Sequence, residues 1–229
     1  MSTWIKICGT TNLADARLAV SAGADALGFI FASSPRQVNP GGVRSIADQL
    51  RGVERIGLFV NEAPDSIEEI FDKAGLSGVQ LHGDESPEQI FEIRNRMRSQ
   101  SARPRIIKTI RFTRGVTGEL ARFSDANLVD AIVIDTFSPR ARGGTGVTFD
   151  WGEARQVVSQ AAIPIIVAGG LNPENVQQAL ATLNPWGVDA TSGLESAPGK
   201  KDVRKVQAFC AAVRSFQRAD AMQGAKEQN

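Results

Sequence analysis

The chain is poor in the residues that build metal centres and disulfide frameworks. Its 229 residues include one histidine, His82, and two cysteines, Cys8 and Cys210. A single histidine excludes a metal centre that needs a pair of them. The two cysteines can in principle pair with each other, but with a strand beginning almost at the first residue no secretory signal is expected, so both read as free thiols in a reducing cytoplasm. Charge of either sign is also lacking in excess: 26 basic against 25 acidic residues leave a formal net charge of +1. That balance removes the electrostatic case for a nucleic-acid partner. No apolar run exceeds about the length of a strand, so no membrane span is expected.

What the chain does have is alternation. Short apolar, β-branched runs stand at Trp4–Cys8, Ala26–Phe31, Arg55–Val60, Gly78–His82, Arg105–Ile110, Ala131–Asp135, Ile163–Ala168 and Gly187–Thr191. Their starts lie 22 to 32 residues apart, the length of one strand and one crossover helix. The segments between them carry helical periodicity, with starts expected at Asn12, Ser66, Ser86 and Asn172. Eight such units without a linker predict a single α/β domain, a (β/α)8 or TIM barrel, over residues 1–218. The polar, patternless 219–229 reads as a disordered tail. An open doubly wound sheet would carry a Gly-x-Gly-x-x-Gly turn after its first strand, where this chain has Cys-Gly-Thr-Thr-Asn.

Barrel chemistry sits at the carboxyl ends of the strands, and strand side chains alternate with period two. That alternation gathers Lys6 and Cys8, Gln80 and His82, Asp135 and Asp189 onto one face near the strand ends, with Lys108 as a further candidate. Ile5, Ile7, Val79, Leu81, Ile132 and Ile134 are left for the helices. Taken singly, a strand cysteine is more often a small core hydrophobe, and a strand-end aspartate more often a helix cap. Their coincidence on one face favours a site. Two glycine-bearing loops, Val167-Ala-Gly-Gly-Leu-Asn-Pro and Asp189-Ala-Thr-Ser-Gly-Leu-Glu-Ser, follow the last two strands. There Gly169, Gly170, Ser192 and Gly193 can bring backbone N–H groups close to an anion, so a small phosphorylated ligand is expected.

Read in order, Lys6-Ile-Cys-Gly, Gly23-Ala-Asp-Ala-Leu-Gly-Phe, Ser34-Pro-Arg, Phe59-Val-Asn, Val79-Gln-Leu-His-Gly, Ile134-Asp-Thr, Gly143-Gly-Thr-Gly with Phe149-Asp-Trp, Ala168-Gly-Gly-Leu-Asn-Pro-Glu-Asn-Val, Ser192-Gly-Leu-Glu and Pro198-Gly-Lys-Lys-Asp resemble the phosphoribosylanthranilate isomerase family of tryptophan biosynthesis. Gln37 stands where that family often has an aromatic residue, and Thr191-Ser192-Gly193 replaces Ser-Ser-Gly. The resemblance implies an Amadori rearrangement of an aminoaldose to an aminoketose, an internal redox shuffle that needs no cofactor and no metal. It implies Asp135 as the acid and Cys8 as the base. A free thiol titrates near 8.5 and a carboxyl near 4, so the site has to favour thiolate in one and acid in the other. It further implies Arg36 on the anthranilate carboxylate, with Lys6, Gln80, His82 and Asp189 around the sugar and Gly143–Gly146 as a lid. Another phosphate-binding barrel isomerase and a non-catalytic sugar-phosphate binder are the alternatives, and the chain can be a monomer or a homodimer.

Overall fold

The computed structural model describes residues 2–97, 103–113, 116–124, 128–135 and 151–226. Eight parallel strands, β1 (Trp4–Ile7), β2 (Ala26–Ile30), β3 (Glu54–Phe59), β4 (Gly78–Leu81), β5 (Arg105–Arg111), β6 (Ala131–Asp135), β7 (Ile165–Ala168) and β8 (Gly187–Ala190), close in sequence order into a barrel. Outside them run α1 (Leu13–Ser21), α2 (Pro40–Ala47), α3 (Pro64–Ala74), α4 (Pro87–Arg96), α5 (Val116–Ser124), α6 (Trp151–Gln160), α7 (Val176–Leu183) and α8 (Val203–Lys226). After β8 come a single 3-10 turn, Ser192–Leu194, and an antiparallel pair, β9 (Glu195–Ala197) and β10 (Lys200–Lys201). Helix α8 continues beyond Ala219, into the stretch whose composition carries no helical pattern.

Alternation along each strand divides the interior in two. Ile5, Ile7, Val79, Leu81, Ile132 and Ile134 face outward and pack under the helices. Trp4, Ala26, Ile56, Ile107, Ala131, Val133, Ile166 and Ala168 fill the barrel itself. Each large aliphatic side chain buried in this way stabilises by roughly 1.5–3 kcal/mol. The amino-terminal mouth is plugged: Trp4 stacks on Trp186 with ring centroids 5.3 Å apart, and the Arg105 guanidinium covers both rings, at 5.7 and 5.2 Å. Glu54 holds that guanidinium through bonds of 2.8 and 3.0 Å. The opposite mouth is left for the site.

Local signals set most helix starts. The Asn12 side chain accepts from the Asp15 backbone, and Ser86 with Gln89 forms a reciprocal capping box ahead of Pro87. Two starts differ from the sequence reading. Helix α3 opens at Pro64, before Ser66, because proline suits a first helical position and Ala63 takes the extended cap conformation. Helix α7 opens at Val176: the Asn172 side chain accepts from the backbones of Glu174 and Asn175 and so caps a turn instead.

Candidate active site

The carboxyl ends of the strands surround a cavity of about 550 Å³ lined by Cys8, Arg36, Gln80, His82, Asp135, Asp189, Gly169, Gly170, Ser192 and Gly193. Ten of the eleven residues expected from the sequence thus meet at one mouth. Cys8 is the first residue past β1, yet its N–H donates to the Ala190 carbonyl at 2.9 Å, so ladder pairing holds it in place. It is 2% exposed. Asp135 closes β6, and its Oδ2 stands 3.8 Å from the Nε2 of His82.

Lys6 is the exception. Strand register sets it directly beside Asp189, and its ammonium donates to Asp189 Oδ2 at 2.6 Å with the side chain fully buried. It therefore forms part of the floor under Cys8 and does not reach the cavity. Burial opposes the charge on Lys6, but the Asp189 carboxylate and the nearby Cys8 sulfur together outweigh burial and raise its pKa. A cation is fixed below the thiol. Room for this comes from Gly28 on β2, where a Cβ would lie 2.6 Å from Cys8 Sγ and 3.0 Å from Lys6 Cε.

Lys108 does not join the ring. On β5 Ile107 points into the barrel and Thr109 bonds Gln80 at 2.9 Å, so Lys108 faces outward between them. Its ammonium donates to the carbonyls of Leu81, Gly83 and Thr109 and to Glu85 Oε2 at 3.1 Å, knitting the loop after β4. His82 is held below its usual pKa by burial first, a shift that the Asp135 carboxylate partly reverses. Among the described residues, Gln80 Oε1 and Asp189 Oδ1 are buried acceptors without a hydrogen-bond partner. Leaving such an acceptor unmet costs about 1–3 kcal/mol, so each suits a donor brought by a ligand.

The two glycine loops take the shape that backbone access requires. Gly169 and Gly170 have φ of 99° and 70°, which side chains rarely adopt. Asn175 fastens this loop by donating to the Gly170 carbonyl at 3.0 Å. A Cβ on Gly193 would strike the Leu171 carbonyl, so only glycine lets the 3-10 turn close against it. Gly143–Gly146 lie outside the described residues.

Two residues that sequence reasoning passed over complete the mouth. Glu195 and Lys201 are both buried. Arg36 grips Glu195 through Nε, at 2.8 and 3.0 Å from its two oxygens, and through Nη2 at 2.6 Å. Lys201 donates to the Cys8 and Thr191 carbonyls at 2.5 and 3.3 Å and to Glu195 Oε1 at 3.2 Å. Both stood within quoted motifs, but contacts this distant along the chain leave no periodic trace.

A closed parallel barrel with a thiol, a carboxyl group and glycine loops at its carboxyl mouth defines a barrel enzyme of the sugar-phosphate kind. Comparison with known proteins makes this specific. Residues 5–212 match the family model described as N-(5'phosphoribosyl)anthranilate (PRA) isomerase. An N-(5'-phosphoribosyl)anthranilate isomerase of Pelobacter propionicus is 43% identical over 90% of this chain and 92% of its own. A crystal structure of phosphoribosyl anthranilate isomerase from Thermotoga maritima superposes with a TM-score of 0.81, at 36% identity over 93% of this chain and 99% of that one. A further structure of such an isomerase, solved with reduced 1-(o-carboxyphenylamino)-1-deoxyribulose 5-phosphate, gives 0.79 at 34% identity, with the same coverage of both chains. The chain belongs to the PRA isomerase family.

Proposed function

We propose that the chain converts N-(5'-phosphoribosyl)anthranilate into 1-(2-carboxyphenylamino)-1-deoxyribulose 5-phosphate, with Asp135 as acid and Cys8 as base. The observation that carries this reading is the sharing of one cavity by Cys8, Asp135, Arg36 and both glycine loops. Asp135 gives its proton to the furanose oxygen, the bond from that oxygen to C1 breaks, and an iminium forms between C1 and the anthranilate nitrogen. The Cys8 thiolate takes the proton from C2, leaving an enolamine. Loss of a proton from the C2 hydroxyl and gain of one at C1 give the ketone, so product and substrate hold the same atoms. Cys8 then returns its proton to solvent as Asp135 regains one.

Each surrounding group has a part. The buried ammonium of Lys6, paired with Asp189, lies beside the sulfur that takes the C2 proton. Arg36 turns a planar fork to the ring carboxylate. His82 and the unmet acceptors of Gln80 and Asp189 take the sugar hydroxyls, and Gly169, Gly170, Ser192 and Gly193 hold the phosphate. The relative solved with the reduced form of a phosphorylated aminoketose supports that ligand class. The reaction belongs in the cytoplasm, where Cys8 and Cys210, both free and buried, stay reduced.

The test is consumption of freshly prepared phosphoribosylanthranilate, followed by loss of its anthranilate fluorescence. The wild type clears the signal, while Cys8→Ala and Asp135→Asn each lose roughly a hundredfold or more in kcat, as expected for a positioned proton-transfer group. Normal turnover by both variants would overturn the roles. A wild type no faster than buffer would overturn the function.

A further inference from the structure

Arg36 is held from three sides. Its backbone N–H donates to Ser34 Oγ at 3.1 Å. Its aliphatic stem lies against Gly9, where a Cβ would approach Arg36 Cδ to 2.7 Å. The edge formed by Nε and Nη2 is spent on Glu195, whose side chain is 4% exposed. Nη1 has no hydrogen bond among the described residues, and Arg36 lines the cavity.

Glu195 is anchored in turn. Its Oε1 also receives Lys201 Nζ at 3.2 Å and the Gly199 N–H at 3.3 Å. Lys201 is tied to the carbonyl of Cys8, so one buried carboxylate joins the loops after β1, β2 and β8. Glu195 offsets one of the two adjacent cations and leaves a single positive charge facing the cavity, the complement of one carboxylate.

We propose that Glu195 is a positioning residue for substrate recognition: by occupying one edge of the Arg36 guanidinium, it presents only the other edge to the carboxylate of an aromatic amine. This rests on the role given to Arg36 under the proposed function. It explains why an arginine on a loop can act as a fixed fork. Without the clamp, the side chain must be ordered anew at each binding event, which weakens binding without touching proton transfer.

The test compares wild type, Glu195→Gln, Arg36→Met and the double variant on phosphoribosylanthranilate, with anthranilate as a competitive inhibitor. Glu195→Gln is expected to raise KM about tenfold and the anthranilate inhibition constant in parallel, with kcat within about threefold of wild type. In the Arg36→Met background the same substitution should change KM by less than about twofold, because the residue through which it acts is gone. Effects that multiply in the double variant, or an unchanged KM in Glu195→Gln beside a raised one in Arg36→Met, would overturn the inference alone. An unchanged KM in Arg36→Met would overturn both it and the carboxylate role. Should Glu195→Gln fail to fold, Glu195→Asp keeps the charge but withdraws it by one methylene, and the same KM increase is expected; a wild-type KM there would overturn the clamp. If the wild type proved inactive, calorimetric binding of anthranilate to the same variants would still read the clamp, with weaker binding in Glu195→Gln supporting it and equal binding overturning it.

Discussion

Gly28→Ala is the sharpest probe of the floor of the site, because it adds one methyl group where three atoms already stand. The new Cβ would lie 2.6 Å from Cys8 Sγ and 3.0 Å from both Cys8 Cα and Lys6 Cε. Comfortable heavy-atom contacts run from about 3.5 Å, so the sulfur must retreat by about 0.9 Å. The backbone offers little relief. Gly28 pairs with Ile56 on β3, and its carbonyl accepts from Thr10 at 3.0 Å, while Lys6 pairs with Ala26 on β1. Nor can the Lys6 chain swing aside without lengthening its 2.6 Å bond to Asp189. The displacement therefore falls on the sulfur. Moving a reacting atom by about 1 Å costs roughly a hundredfold in rate, and overpacking a core by one methyl costs about 1–3 kcal/mol. Substrate fluorescence and urea unfolding read the two effects separately. A Gly28→Ala enzyme within threefold of wild-type kcat/KM would refute the placement of Cys8 over Lys6. Gly52→Ala serves as the control: its φ of 74° strains any side chain but nothing lies within 4 Å, so it should lose about 1–2 kcal/mol of stability and no activity.

Further substitutions test the charges. Lys6→Met leaves Asp189 buried without its cation and should lower the unfolding free energy by about 3–5 kcal/mol, while Lys6→Met/Asp189→Leu should recover much of that stability and none of the activity. Lys201→Met should cost about 3 kcal/mol by urea unfolding, since it strips a buried bond from Glu195 and from the Cys8 and Thr191 carbonyls. His82 titrates below its usual 6.5 when folded, mainly through burial, so in the window just below 6.5 the unfolded chain binds more protons. Stability should then rise with pH through that window and level off above it, and His82→Asn should flatten the rise in unfolding curves taken from pH 5 to 7.5.

The fold was readable because eight strands and their helices repeat a pattern that local rules detect: all eight strands begin within two residues of their expected starts. Parity was readable where alternation is clean, as in Trp4-Ile-Lys-Ile and Ala131-Ile-Val-Ile-Asp. It failed on β5, where Ile106 and Ile107 point to opposite faces and give no preferred phase, so Lys108 was placed inside when it faces out. Lys6 had the right face but the wrong depth. Only the pairing of β1 with β8 reveals that Asp189 stands beside it and consumes its charge. Gly28 was visible within a motif, yet its purpose depends on which side chains barrel closure brings against it. Glu195 and Arg36 are 159 positions apart, beyond the reach of any helical or strand period.

The two storeys of the barrel interior explain how so polar a mouth is tolerated. The upper storey buries Lys6, Gln80 and Asp189 and leaves two acceptors unmet among the described residues, a debt that hydrophobic packing at that level cannot offset. The lower storey is built to the opposite rule, with Trp4, Trp186 and Ile56 packed below and Arg105 held over the rings from outside. The upper strand ends are held from outside, where Ile7, Leu81 and Ile134 pack under the helices. Small residues, Gly28 and Ala168 among them, can then stand where bulkier ones would stabilise more, and beside them opens the cavity that Cys8 and Asp135 both line.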